Sequence, residues 1–266
     1  MASRFERTGE ALTTSAVIEA ARAEDYGVTI VNVKDPGAEG WESAASRLSS
    51  QAIDGLVILR AEGTPEDLSL PRTLPVAVSD SRLIGLYPAV SSNHMQGSAD
   101  ATGHLLALGH AVVHHIAGPA DSDPAMARMA GWRRTLEQAG ITPPEPLHGD
   151  WSAESGYVLG LTLAADPTVT AVFCSNDEMA IGAMRAFHEA GRVVPTDVSV
   201  VGFDDLTLSP FLPVPLTTVR QDFRAIGHEL VALLLDQLRS AVRKPHERVT
   251  IPTELIVRGT SAPPRA

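Results

Sequence analysis

Cysteine is almost absent, Cys174 being the only one in 266 residues. No intrachain disulfide can form, which fits a reducing compartment. Basic residues are also short, 21 Lys and Arg against 32 Asp and Glu, for a formal net charge of -11. Like-charge repulsion therefore disfavours nucleic acid or an anionic membrane as the partner of this segment, though a separate basic module is not forbidden. No apolar run approaches the ~20 residues that span a bilayer. Met1-Ala2-Ser3-Arg4-Phe5-Glu6-Arg7 lacks the continuous apolar stretch of a secretory signal. The expected location is the cytoplasm, with no membrane partner.

Catalytic signatures are missing as well. There is no Gly-x-Ser-x-Gly elbow, no Walker-type phosphate loop and no Gly-x-Gly-x-x-Gly turn, so neither an enzyme nor a bound cofactor is expected. His114 and His115 fall in one predicted strand and point to opposite faces, which argues against a shared metal. His228-Glu229 is not followed by a histidine at zinc-protease spacing. Cys174 closes an apolar run and reads as a core residue.

What is present is an ordinary globular composition, 44% hydrophobic and 20% charged. The length suits one large or two medium domains. Short β-rich runs alternate with longer amphipathic segments, the pattern of βα units around parallel sheets. Strands are predicted at Val28–Val33, Leu56–Leu59, Val76–Val78, Val112–Ala117, Ala171–Cys174 and Val198–Phe203. Helices are predicted at Thr13–Tyr26, Trp41–Gln51, His94–Leu108, Ala125–Ala139, Ala153–Leu163, Asp177–Ala190 and Phe223–Arg239. In the last of these, Ile226, Leu230, Leu233, Leu234 and Leu238 form one apolar face. Gly27, Gly109, Gly140 and Gly191 each follow a predicted helix, where a left-handed cap favours glycine. Glu62–Pro75 reads as an exposed connection and Ser261–Ala266 as a fraying tail. So many strands suit two sheets, roughly one per ~130 residues, better than one.

Ligands of open α/β sheets bind at the carboxyl ends of strands. Ser175-Asn176-Asp177 follows one such strand, Asp204-Asp205 another, and Gln221-Asp222-Phe223 opens the last long helix. Asp177 sits where a helix cap belongs. Asn176 is then the ligand candidate, since an amide both donates and accepts. Neighbouring residues point apart, so of the two carboxylates Asp204 is taken to face a ligand and Asp205 to cap or turn the chain. Arg128 lies four residues before Trp132 in a predicted helix, where a solvated surface arginine is the default. An arginine donates two parallel hydrogen bonds, and a carboxylate accepts from two neighbouring hydroxyls, the pair that sugars expose. Trp151, in Gly149-Asp150-Trp151-Ser152, is either core or a plate for the apolar face of a sugar ring.

Six motifs occur in order: Ile116-Ala117-Gly118-Pro119, Ala130-Gly131-Trp132, Gly149–Gly156, Ser175–Met184, Val198–Asp205 and Pro215–Phe223. Together they resemble the effector-binding core of the lactose-repressor family of bacterial transcription regulators, from about Thr13 to Pro263. The resemblance implies an α/β, two-lobed, periplasmic-binding-protein-like fold. Each lobe is a mainly parallel sheet flanked by helices, with three crossovers and a small sugar effector between the lobes. It places the first lobe at residues 1-92 plus 222-248, the second at 93-221 plus 249-260, and a tail at 261-266. Arg128 is similar to the family's hydroxyl-clamping arginine, Trp151 to its stacking tryptophan, and Asn176 and Asp204 to its polar ligands. Gln221 and Phe223 match cleft-lining positions near a crossover, and the resemblance implies a ligand contact from the first lobe at Asp80. The set resembles galactoside-responsive members. The resemblance further implies a homodimer, and operator DNA read only through a helix-turn-helix head that this chain does not contain. Met1–Arg7 stands where the family has a Val/Ile-rich strand.

Two other functions share parts of this pattern. A sugar-binding protein of a transport system has the same fold and cleft. A glycosidase needs two acids facing each other across a bound sugar, whereas Asp204 and Asp205 are sequence neighbours.

Overall fold

Strands apolar on both sides need helices on both sides, and the chain meets that need with two sheets. The computed structural model describes residues 8–31, 33, 48, 52–59, 74–79, 83–240 and 247–265. The chain divides into two compact units, Met1–Ser92 with Asp222–Ile251, and Asn93–Gln221 with Pro252–Ala266. It passes between them three times, at Ser92–Asn93, Gln221–Asp222 and Ile251–Pro252.

The first unit contains α1 (Thr8–Ala23), β1 (Leu56–Leu59), β2 (Val76–Ser79), β3 (Ala89–Ser92), α6 (Phe223–Arg239) and β9 (Arg248–Ile251). Its described sheet runs β1-β2-β3-β9, all parallel. On one face Val17, Ala20 and Ala21 of α1 pack with Ile226, Leu230 and Val231 of α6 over Ala77 and Val90. Gly227 allows that approach, because a Cβ there would lie 2.4 Å from the Ala16 Cβ. Val33, Leu48, Ile58, Val76 and Val78 form a second cluster.

The second unit contains α2 (His94–Ala107), β4 (His114–Ala117), α3 (Asp123–Gln138), β5 (Leu147–His148), α4 (Ala153–Ala164), β6 (Ala171–Cys174), α5 (Asp177–Glu189), β7 (Ser199–Asp204), β8 (Thr217–Gln221) and β10 (Thr253–Ile256). Strand order is β10-β8-β7-β6-β4-β5, with only β10 antiparallel to its neighbour. One face carries Val172, Cys174, Met179, Ala183 and Phe187. The other carries Leu105, Trp132, Leu136, Phe173 and Phe203. The Trp132 indole donates to the Val113 carbonyl at 2.9 Å, so its polar edge is satisfied in the core.

Several expectations change. Val28–Val33 does not form a strand at its described residues 28–31 and 33. Its β-branched composition is not enough, because a strand needs a partner for its ladder and none of the described strands pairs with it. The first helix starts at Thr8 and ends at Ala23. The left-handed residue after it is Asp25 (φ 63°), not Gly27, whereas Gly109, Gly140 and Gly191 do take positive φ. Trp41–Gln51 apart from Leu48, most of Glu62–Pro75, Met1–Arg7 and Asp80 lie outside the described residues. The supposed tail is pinned at its start: Ser261 bonds His104 at 2.9 Å, and the Ala262 carbonyl lies 3.0 Å from the Ser199 hydroxyl that donates to it.

Candidate functional site

Parallel strands end on the same side of a sheet, so β4, β6, β7 and β8 bring their carboxyl ends together in the second unit. Asp204 ends β7 and Gln221 ends β8. Asn176 and Asp177 follow β6, and Arg128 reaches in from α3.

Arg128 is completely buried, contrary to the surface expectation for a lone helix arginine. Burying its charge is tolerable only with hydrogen bonds and a counter-charge. Its Nη1 donates to the Ser175 carbonyl and stands 3.4 Å from Asp204 Oδ1. Its Nε donates to His94 Nδ1 at 3.3 Å. The guanidinium carbon lies 3.9 Å over the Phe203 ring and 5.4 Å over the Trp151 ring. Gln221 Nε2 donates to the same Asp204 Oδ1, so Gln221, Asp204 and Arg128 form one continuous polar chain.

Asp204 and Asp205 both have positive φ, 118° and 56°, a conformation that costs about 1–3 kcal/mol per non-glycine residue. The turn is held by what each carboxylate binds. Asp204 faces Arg128 and Gln221. Asp205 pairs with Arg220 at 2.7 Å and Arg258 at 2.6 Å, which anchors it to β8 and to the segment after β10.

The cap of α5 is the reverse of the sequence expectation. Asn176, extended at φ -149°, is the N-cap, and its Oδ1 accepts from Met179 N at 3.0 Å. Its Nδ2 donates to the Trp151 carbonyl at 2.9 Å and to Glu178 at 2.8 Å. Asp177 is the first helical residue and turns inward instead, accepting from Leu206 N at 2.9 Å and from the Ser209 and Thr218 hydroxyls. Burial, followed by the charge of Asp204, pushes its pKa up to about 7.

Trp151 is 5% exposed, lies in the apolar cluster of α4 and α5, and has φ 77°. Its ring lies against Gly118, where a Cβ would sit 2.5 Å from Cζ2. The indole Nε1–H has no hydrogen-bond partner among the described residues. Thus Arg128, Asp204, Gln221, Asn176 and Trp151 are brought together in the second unit. Phe223 belongs to the first unit, where it packs with the apolar cluster of α1 and α6.

Sequence reasoning missed His94 and the hub role of Asp177. His94 had no motif around it; only its place at the start of a predicted helix pointed to a strand-end position. No group of three or more His, Cys, Asp or Glu able to hold a metal occurs among the described residues. No described helix is long and apolar enough to cross a membrane.

Residues 102–261 match the periplasmic binding protein-like domain family. The chain is 34% identical to the lactose operon repressor of Escherichia coli over 253 residues, covering 92% of this chain and 69% of the relative. It is 31% identical to the transcriptional repressor PurR of Haemophilus influenzae, covering 91% and 74%. A solved lac repressor dimer bound to operator and the anti-inducer ONPF superposes with a TM-score of 0.86 at 31% identity, over 98% of this chain and 92% of that one. A complex of the transcriptional regulator CelR with cellobiose superposes at 0.85 with 28% identity, over 96% and 80%. The fold, the parallel sheets and these matches agree: the chain belongs to the lactose-repressor family of transcription regulators and comprises its effector-binding, periplasmic-binding-protein-like region.

Proposed function

We propose that this chain senses a small carbohydrate, a galactoside or a related sugar, for a transcription repressor. The observation that carries the reading is the buried chain Gln221–Asp204–Arg128 at the strand ends of the second unit. An arginine fork beside a carboxylate presents paired donors next to paired acceptors, which suits neighbouring hydroxyls. Trp151 adds an aromatic ring and a buried indole N–H that a ligand oxygen can satisfy. Asn176 contributes an amide to the same group of residues. Relatives support the choice of ligand class, since a CelR structure holds cellobiose and the lac repressor is the repressor of the lactose operon.

In this reading the working assembly is a homodimer. Sugar affects DNA binding of the full regulator only by binding its alternative conformations with different affinity. Catalysis plays no part.

Thermal unfolding against mono- and disaccharides, with purines as controls, tests the proposal. A ligand that binds only the folded state stabilises it by ~2.7 kcal/mol at a hundredfold excess over its dissociation constant. A midpoint shift with a sugar, lost in Arg128→Ala, supports the reading. A shift with purines alone sinks it.

A further inference from the structure

Arginine has five N–H donors in a rigid fork, so a partner at one nitrogen sets the direction of the others. In Arg128 the Nε–H is taken by His94 Nδ1 at 3.3 Å, while Nη1 serves the Ser175 carbonyl and Asp204. His94 opens α2 directly after its N-cap Asn93, is 5% exposed, and lies 6.0 Å from the Phe203 ring. The guanidinium carbon of Arg128 lies 3.9 Å over the Phe203 ring, and its Nη1 is held by Ser175 and Asp204. The hydrogen bond from Nε to His94 holds the fork at a second point, apart from Nη1. Accepting at Nδ1 requires a neutral ring with its proton on Nε2.

We propose that His94 is a positioning residue of the effector site: by accepting the Arg128 Nε–H it sets the orientation in which the guanidinium meets the hydroxyls of a carbohydrate. This rests on the carbohydrate reading of the same site. His94 does not itself touch the ligand in this scheme, and it acts through Arg128. Asparagine is the informative replacement, because its Oδ1 places an acceptor close to the position of the imidazole Nδ1. Leucine keeps bulk and removes the acceptor.

The wild type, His94→Asn and His94→Leu are titrated calorimetrically with lactose, methyl β-galactoside and cellobiose, and their ligand-free unfolding midpoints are measured alongside. For a sugar that the wild type binds, His94→Leu is expected to weaken affinity about tenfold or more, the scale of a hydrogen bond to a charged group. His94→Asn is expected to return affinity to within about threefold of wild type whatever its midpoint, since the acceptor is restored. Wild-type affinity in His94→Leu overturns the proposal. So does a His94→Asn protein that is folded yet binds as weakly as His94→Leu. If the wild type binds none of the sugars, the carbohydrate reading fails first and the proposal falls with it. Nitrogen-15 spectra of the ligand-free protein give a check that needs no sugar: the His94 ring must be protonated at Nε2, and a proton on Nδ1 overturns the geometry.

Discussion

A single carboxylate oxygen, Asp204 Oδ1, faces both the Gln221 amide at 2.5 Å and the Arg128 guanidinium at 3.4 Å. The arginine is fully buried, so this oxygen is its counter-charge. Asp204→Ala leaves that charge uncompensated and is expected to destabilise the protein by about 3–5 kcal/mol, the usual effect of removing one partner of a buried pair. Asp204→Asn keeps an acceptor and is expected to cost less. Urea unfolding of both variants checks the order, and equal stability of Asp204→Ala and wild type would remove Asp204 from this role.

The α5 cap gives a second expectation. Asn176→Ala removes the acceptor for Met179 N and both amide donations, so a loss of about 1 kcal/mol or somewhat more is expected. Asn176→Ser retains the cap alone and should recover part of it. Asp177→Ala, if it were the cap as its sequence position suggests, would cost only that amount. Because it instead ties Leu206, Ser209 and Thr218 together, its loss should exceed that of Asn176→Ala. Denaturation midpoints of the three variants decide the ranking.

Asp177 and His115 make opposite contributions to the pH dependence of stability. Burial raises Asp177 to about 7, so the folded state keeps a proton that the unfolded state has released above about 4. Its stabilisation is complete below that point and is lost as pH rises through about 7. His115 is stacked between Trp132 at 5.0 Å and Phe173 at 4.8 Å, and burial lowers it to about 3. The unfolded state takes up a proton below about 6.5 that the folded state refuses, so this contribution is lost as pH falls. Each has a limiting slope of about 1.4 kcal/mol per pH unit, and between about pH 4 and 6.5 they oppose each other. His115→Gln should therefore make stability fall more steeply, relative to wild type, as pH rises. Asp177→Asn should make it rise. Urea midpoints at three pH values in that window check both signs, and slopes unchanged from wild type would refute the assignment.

Gly118 is the place where the site depends on a missing side chain. A Cβ would meet the buried Trp151 indole at 2.5 Å. Gly118→Ala is expected to displace the indole and cost about 1–3 kcal/mol, as overpacking does. A changed near-ultraviolet circular dichroism spectrum with a lowered unfolding midpoint is the expected result. An unaltered spectrum would mean that Trp151 is not confined there.

Local pattern was sufficient where one face of an element settles its fate. The Ile226–Leu230–Leu233 face defines α6 at Phe223–Arg239, and the unbroken apolar run Ala171–Cys174 defines β6. The ordered motifs were also enough to indicate the family, because six of them together carry more information than any one spacing. Two strands were not legible: Thr217–Gln221 is polar because Thr217, Thr218 and Gln221 use their side chains in hydrogen bonds, and Ala89–Ser92 is short with two serines, while the backbones of both supply the ladder. Val28–Val33 failed for the converse reason, a strand-like composition without a described strand partner.

The residues Arg128, Asn176 and Asp204 were thus available from sequence as candidates, but their states were not. Whether Arg128 is solvated or buried, whether Asn176 or Asp177 caps α5, and whether His94 matters depend on neighbours from other segments of the chain, such as His94, Ser175 and Asp204 around Arg128. Periodicity reports which side of an element avoids water. Burial of a charge and choice of hydrogen-bond partner depend instead on the chemistry that other segments bring to within about 3 Å, and only the folded chain assembles that.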